Sequence, residues 1–328
     1  MKVIIPLAGK GTRLLPLTRH VPKPLIRVAG RPVLDWVMDT LGQLDLEELI
    51  FITGHLKEDV EAHVRKRYAI PSRFVEQRVQ DGTAGAVALA REFVNGPVLI
   101  VFVDTLFDAD LTIVNRVDAD GIIWAKEVED YQRFGVVVTD GDGYMRRIVE
   151  KPTEPISKLA NIGLYYIRDW STLFDGIADT LARPQNKGEW YLTDAFQYMI
   201  DRGRRLYTAE VRGWYDCGKV ESVLDTNRHL LESGHARRPA QAPDGVTLID
   251  PVYIGDGVTL ASSTIGPNVT VEAGAVVRNS TVRDAIVGAG ARLTGVTVMR
   301  SLIGDGVTLH DTTREDMVAA PDEIAPAR

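Results

Sequence analysis

Residues 6–26 read Pro6-Leu7-Ala8-Gly9-Lys-Gly11-Thr12-Arg13-Leu-Leu-Pro16-Leu-Thr18-Arg-His-Val-Pro22-Lys23-Pro24-Leu-Ile26, a glycine turn followed by an arginine and then by a lysine between prolines. Glycines at 9 and 11 permit a left-handed backbone and leave room for a close approach. Successive N–H groups in such a turn form a concavity that binds anions, and Arg13 and Lys23 add fixed positive charge. The chemistry implied is the holding of a polyphosphate. It is not a P-loop, because the lysine lies between the glycines. It is not a dinucleotide fingerprint either, because Leu14 stands where a third glycine belongs.

Other residues suit the same task. Gln77 lies five positions before Gly82, and its amide offers one acceptor and two donors, enough to read a pyrimidine edge. The alternative is a surface glutamine ahead of a helix. Asp104 follows the apolar run Val98–Val103. A carboxylate at a strand exit suits Mg²⁺, which takes one or two carboxylates plus substrate phosphates; the alternative is the cap of a following helix. Glu150-Lys151-Pro152 sets a carboxylate, which accepts from a diol, beside an ammonium, which suits a phosphate as a point charge. The six histidines show no metal-ligand spacing, since His55 and His63 are eight apart. No local motif suggests a Ser-His-Asp arrangement.

The longer pattern, G-x-G-T-R, a spacer, then P-K, resembles the signature of the sugar-1-phosphate nucleotidyltransferases. Its Pro-Leu-Ala-Gly-Lys-Gly-Thr-Arg-Leu-Leu-Pro form is similar to bacterial UTP–glucose-1-phosphate uridylyltransferases. It lacks the extra glycine frequent in the glucose-1-phosphate thymidylyltransferases. The resemblance implies that Arg13 and Lys23 contact the nucleotide phosphates, with Leu7, Ala8, Gly9, Gly11 and Thr12 lining the nucleotide. It implies base recognition by Gln77 with Gly82, and Thr83 beside them at the nucleotide. Trp214-Tyr-Asp216-Cys-Gly218 resembles the family's W-x-D-x-G, whose aspartate is a second metal carboxylate beside Asp104. At Asp104 the family's Gly-Asp is replaced by Val103-Asp104. The E-K-P element implies that Glu150 grips sugar hydroxyls and Lys151 the sugar phosphate, with Gly135 and Asn161 on the sugar side. Glu189 and Leu192-Thr193-Asp194 resemble a further element with no contact assigned.

These residues need a scaffold. Lys2–Leu7, Glu48–Thr53 and Val98–Val103 read as buried strands, being apolar and β-branched without alternation. Pro32–Leu41 and Ala84–Val94 show helical spacing, with Thr83 as the N-cap of the second. Such alternation predicts a Rossmann-like, doubly wound mixed α/β sheet. Phe134–Thr139 and Tyr144–Val149 flank Asp140-Gly-Asp-Gly143, a hairpin signal. Asn161–Ile167 reads as a strand, and Leu192–Asp201 and Val220–Leu231 as helices. Open sheets of this kind bind ligands beyond the carboxyl ends of their strands. Residues 1–233 are thus expected to form a catalytic domain and 234–245 a linker.

From 246 to 311 aliphatic residues recur about every six positions, at Ile265, Val271 and Val277. Asp256-Gly-Val-Thr-Leu260 returns as Asp305-Gly-Val-Thr-Leu309. This periodicity predicts a short parallel β-helix of hexapeptide repeats, similar to the left-handed β-helix C-terminal to many nucleotidyltransferases. The spacing slips around Thr281–Asp284, and Gly-Val-Thr-rich antiparallel hairpins are the alternative. Residues 312–328 read as a polar, partly disordered tail.

The 328 residues suit about two domains, and 45% hydrophobic with 25% charged residues is a soluble globular composition. A net charge of −7 argues against general nucleic-acid binding. No apolar run reaches a membrane span, and a strand beginning at once leaves no room for a signal peptide. Cys217 is the only cysteine, which excludes an internal disulfide or a thiolate zinc cluster and fits a cytoplasmic location. The expected partners are a nucleoside triphosphate (UTP or dTTP), a sugar 1-phosphate, glucose 1-phosphate by default, and Mg²⁺ as cofactor. A homo-oligomer formed through the β-helix is also expected. The resemblance leaves two alternatives: acyltransferase activity in the β-helix, as in bifunctional enzymes of this group, or an inactive regulatory homologue that binds nucleotide sugar.

Overall fold

The computed structural model describes residues 1–321. They pack as two compact units. One comprises Met1–Gly9 and Val37–Trp214; the other comprises Lys10–Trp36 and the described residues from Tyr215 onward.

The chain opens with β1 (Lys2–Pro6), then a small ribbon of β2 (Arg27–Val28) and β3 (Arg31–Pro32), then α1 (Val33–Leu41). Next come β4 (Glu48–Thr53), α2 (Lys57–Arg67), β5 (Ser72–Glu76) and α3 (Thr83–Ala88). They are followed by β6 (Val98–Val101), β7 (Thr105–Asp108), β8 (Gly121–Glu127), β9 (Gly135–Thr139), β10 (Met145–Glu150) and β11 (Leu159–Ile167). Then come α4 (Trp170–Leu181), α5 (Leu192–Asp201), β12 (Leu206–Glu210), β13 (Gly213–Asp216) and α6 (Val220–Leu230).

The first unit is built on a nine-stranded sheet in the order β10-β9-β11-β6-β1-β4-β5, with β8 on β11 and β12 on β8. Strands β5, β4, β1 and β6 are parallel. Their carboxyl ends therefore lie on one side, where Gly9, Gln77 and Asp104 emerge. Strand β11 returns antiparallel beside β6 and makes the sheet mixed. Its core packs Ile4, Ile50, Ile100 and Ile123 with Tyr165, Leu173 and Phe196. Phe196 is wholly buried, and truncating such an aromatic to alanine costs about 3–5 kcal/mol.

Four details differ from the sequence reading. Pro32 lies in β3 and the helix starts at Val33, since a residue without an N–H can end a ribbon edge. The segment 84–94 is broken: α3 ends at Ala88, and a separate 3₁₀ turn covers Arg91–Phe93. Thr83 is not the cap. Gly82 holds that position at φ 118, and the Thr83 hydroxyl accepts instead from the Leu192 N–H at 2.9 Å. The apolar run 98–103 is strand only to Val101, because the Phe102 N–H turns to the Gly163 carbonyl, 2.9 Å away.

In the second unit, residues 247–319 stack as parallel strands in three sheets, as in a left-handed β-helix. Val252, Val269, Val271, Val287 and Ile303 point inward. The corners explain the slipped spacing. Val252 pairs with Val269, seventeen residues on, but Ile286 pairs with Leu302, sixteen on. Both fall short of three full hexads. Each coil turns on left-handed residues: one corner runs Gly257, Gly274, Gly290, Gly306, another Asn268, Asp284, Arg300, Asp316. Glycine, asparagine and aspartate visit that region most readily. The expected tail also needs correction. Thr313–Glu315 and Val318–Ala319 add further parallel pairings, because Ala319 and Ala320 are buried over the preceding coil. The rest of that tail, 322–328, lies outside the described residues.

Candidate functional site

In the second unit, Gly11 takes a left-handed conformation at φ 64. Thr18 is fully buried and donates its hydroxyl to the Gly11 carbonyl at 3.0 Å. A Cβ on Gly11 would lie 2.9 Å from Thr18 Cγ2 and 3.3 Å from Lys23 Cβ. The turn is thus closed against the segment that carries Lys23. Thr12 and Arg13 begin a single 3₁₀ turn. Arg13 reaches Gly218: a Cβ there would lie 3.2 Å from Arg13 Nη2 and 2.8 Å from Asp216 Oδ1. The guanidinium and the Asp216 carboxylate therefore flank one glycine. Asp216 is held at the N-terminus of α6. Its Oδ1 accepts from the Gly218 N–H at 2.9 Å, and its Oδ2 from the Ser222 hydroxyl at 2.9 Å. A helix N-terminus favours a carboxylate.

In the first unit, β1 delivers Leu7, Ala8 and Gly9. The Leu7 N–H bonds the Ile52 carbonyl at 2.7 Å, and Gln80 Nε2 donates to the Ala8 carbonyl at 3.0 Å. A Cβ on Gly9 would meet nothing within 4 Å. Gln77 is buried, and its amide donates to Asp81 Oδ1 at 3.0 Å and to the Gly82 carbonyl at 3.4 Å. It braces the 81–82 turn. Gly82 is required by the chain itself, since a Cβ there would collide with the Trp190 backbone.

Asp104 precedes β7 rather than a helix, which removes the helix-cap alternative. Its charge and that of Glu150 both reach the buried Tyr165 phenol. Burial first, and then these two carboxylates, raise the Tyr165 pKa well above its ordinary value.

The residues expected on the sugar side meet closely. A Cβ on Gly135 would collide with Asn161 Nδ2 and lie 2.8 Å from Thr193 Cγ2 and 2.9 Å from Glu150 Oε2. Asn161 is buried; its Nδ2 donates to the Gly135 carbonyl at 2.9 Å, and its Oδ1 accepts from the Tyr165 hydroxyl. Glu150 accepts from the Thr193 hydroxyl at 3.2 Å. Burial raises the Glu150 pKa, with Lys151 and Thr193 opposing. Lys151 sits in the left-handed region at φ 45, with its N–H on the Phe134 carbonyl at 2.9 Å. Its Nζ donates to the Tyr191 hydroxyl at 3.2 Å, lies 4.6 Å from that ring's centre, and is 4.0 Å from Glu189 Oε2. Burial pushes the Lys151 pKa down, but the Tyr191 hydrogen bond and the neighbouring carboxylates prevail and raise it. Non-glycine residues in left-handed conformations cost about 1–3 kcal/mol and gather at functional sites.

Tyr191, Gln80 and Ser222 were not legible as site residues, and Thr193 carried no contact. Helix α5 brings Thr193 in. It packs so tightly on α4 that a Cβ on Gly176 would lie 2.9 Å from the Ala195 carbonyl. The only available signal was Trp190-Tyr-Leu-Thr-Asp194 itself. Among the described residues, no group of three or more His, Cys, Asp and Glu is arranged to hold a metal.

The fold and these residues define a nucleotidyltransferase-type α/β domain followed by a β-helix. A solved UDP-glucose pyrophosphorylase in complex with UDP-glucose superposes with a TM-score of 0.63 at 23% identity, covering 71% of this chain and 98% of its own. The chain belongs to the Nucleotidyl transferase family, which matches residues 2–233. It is 34% identical over 261 residues to the bifunctional protein GlmU of Methanococcus aeolicus, covering 79% of this chain and 62% of that protein. It is 31% identical over 240 residues to the UTP--glucose-1-phosphate uridylyltransferase AglF of Haloferax volcanii, covering 71% of this chain and 97% of that protein. The chain thus spans less than two thirds of the GlmU length. Among the described residues no helix is long and apolar enough to cross a membrane.

Proposed function

We propose that this protein joins a nucleoside triphosphate, UTP or dTTP, to glucose 1-phosphate, giving a nucleoside diphosphate sugar and pyrophosphate. The observation that carries this reading is the cluster of Lys151, Glu150, Asn161 and Gly135 at one end of the sheet. An ammonium for a phosphate stands beside a carboxylate for hydroxyls, the two groups a sugar 1-phosphate presents. Names among the relatives support the sugar: AglF carries UTP and glucose 1-phosphate in its name.

In this reading a sugar-phosphate oxygen attacks the α-phosphorus. A P–O bond forms as the bond to pyrophosphate breaks. Such transfers rest on positioning and charge stabilisation rather than a protein nucleophile. Lys151 orients the attacking phosphate, and Lys23 holds the α-phosphate. Arg13 stabilises charge on the leaving pyrophosphate. Gln77 and Gly82 face the base, and Glu150 takes sugar hydroxyls. In this reading Asp104 and Asp216 are the carboxylates that would hold Mg²⁺, and each Asp216 oxygen, accepting one bond, keeps a further lone pair. Bound there, the ion would neutralise phosphate charge and template both reactants.

Pyrophosphate release measured for five nucleoside triphosphates against several sugar 1-phosphates tests the reading. UTP or dTTP with glucose 1-phosphate should lead, and no release with any pair would refute it. Arg13→Ala should lower kcat by about 10²–10³, as when one transition-state charge stabiliser is removed; near-normal release would refute its role.

A further inference from the structure

Residues 10–36 and the β-helix share one compact unit, and one buried side chain ties them together. Asn227, on α6, has no exposed surface. Its Oδ1 accepts from the Ala29 N–H at 2.9 Å and from the Thr270 hydroxyl at 2.7 Å. Its Nδ2 donates to the Asn268 carbonyl at 3.3 Å. Asn227 therefore satisfies both a β-helix coil and the turn between β2 and β3.

That turn needs support. Ala29 and Gly30 both have positive φ, 46 and 82, as a two-residue ribbon turn requires. For alanine this is unfavourable. Gly30 is pressed on the Tyr253 ring, where any Cβ would collide. Arg27 Nε meets the buried Glu272 Oε2 at 2.8 Å, and Trp36 Nε1 donates to the Val28 carbonyl at 3.1 Å. The ribbon then holds Lys23: the Val33 N–H bonds the Ile26 carbonyl at 2.9 Å, and the Ile26 N–H bonds the Lys23 carbonyl at 3.2 Å. On the other side, Thr226, next to Asn227, donates to the Asp216 carbonyl at 3.0 Å.

We infer that Asn227 is a positioning residue, which seats the Ala29 turn on α6 and the β-helix and so sets Lys23 and Asp216 relative to one another. This rests on the roles given above to those two residues. The β-helix thereby supports the nucleotide side of the site. The sugar side, built on Glu150, Lys151 and Asn161, belongs to the other unit and is outside this device.

The test uses the full chain and UTP, with dTTP alongside. Calorimetric titration without sugar phosphate gives the nucleotide Kd, and initial rates give KM for each substrate. Asn227→Ala should raise the nucleotide Kd and KM about ten-fold, the equivalent of ~1.4 kcal/mol, near the net worth of one hydrogen bond. KM for glucose 1-phosphate should change less than about two-fold on the same scale. Thr270→Val removes one of the two bonds to Oδ1 and nearly preserves shape. It should raise the nucleotide Kd about two- to three-fold by the same conversion. A folded Asn227→Ala protein with unchanged nucleotide Kd, or with both KM values raised alike, overturns the inference. If Asn227→Ala does not fold, an unchanged Kd in Thr270→Val overturns it. A wild-type protein that binds neither nucleotide overturns the functional reading beneath it.

Discussion

Replacing Tyr191 with phenylalanine removes one hydroxyl and leaves the ring. The hydroxyl accepts from Lys151 Nζ at 3.2 Å, and the ring lies 4.6 Å from the same nitrogen. The variant therefore keeps the cation–π contact and loses the hydroxyl's bonds to Lys151 and Glu189. A hydrogen bond to a charged group is worth about 1.5–3 kcal/mol net. Lys151 is part-exposed, with 37% of its side-chain surface accessible, so the lower end applies. About 1.5 kcal/mol is roughly ten-fold in an equilibrium constant. Lys151 is proposed to hold the sugar phosphate both before and during reaction. Losing its anchor should then raise KM for glucose 1-phosphate about ten-fold with kcat little changed, the pattern of lost uniform binding. KM for the nucleotide should stay within about two-fold on the same scale. Steady-state pyrophosphate release with each substrate varied in turn is the assay. An unchanged sugar-phosphate KM, or a rise confined to the nucleotide KM, would refute the idea that Tyr191 sets the Lys151 ammonium.

Two further outcomes follow from the same geometry. Burial raises the Glu150 pKa, so its folded-state pKa lies above the unfolded value near 4.3; the stability tied to its protonated form is complete below about 4.3 and is lost as pH rises through the raised pKa. Glu150→Gln should therefore gain Tm over wild type as pH climbs from about 4 toward neutrality, while binding sugar phosphate more weakly; a Tm difference that does not vary with pH would contradict this. Gly82→Ala should lower stability by more than about 3 kcal/mol, since it combines a disfavoured φ of 118 with a collision against the Trp190 backbone; a melting curve matching wild type would show that the turn is not held as described.

Much of the scaffold was readable, because its signals are local. The runs at 3–7 and 49–52 are apolar without breaks, and they lie in β1 and β4, neighbours in a parallel sheet. The hexad rhythm located the β-helix, but not the sixteen- and seventeen-residue coils. Corner residues such as Asn268 and Asp284 take positive φ where a strict hexad count would not place them. The helix expected at 84–94 failed for a non-local reason. Its proposed cap, Thr83, is drawn to the N-terminus of α5, more than a hundred residues later. Gly82 is expected at the base, yet it is pressed on the Trp190 backbone, which no local pattern could reveal.

By itself the sequence determined the glycine turn with Arg13 and Lys23, the carboxylates at 104, 150 and 216, the alternating sheet and the repeating C-terminal strands. Each is written in residue type and short-range spacing, which fix backbone conformation and periodic burial. Only the tertiary structure decided that Lys10–Trp36 packs in one unit with the β-helix, that Asn227 closes the ribbon behind Lys23, and that Tyr191 and Thr193 hold Lys151 and Glu150. Those pairings depend on which distant side chains are buried together. A buried amide or carboxylate must find its partner wherever the fold brings one, and nothing in the local spacing records where that is.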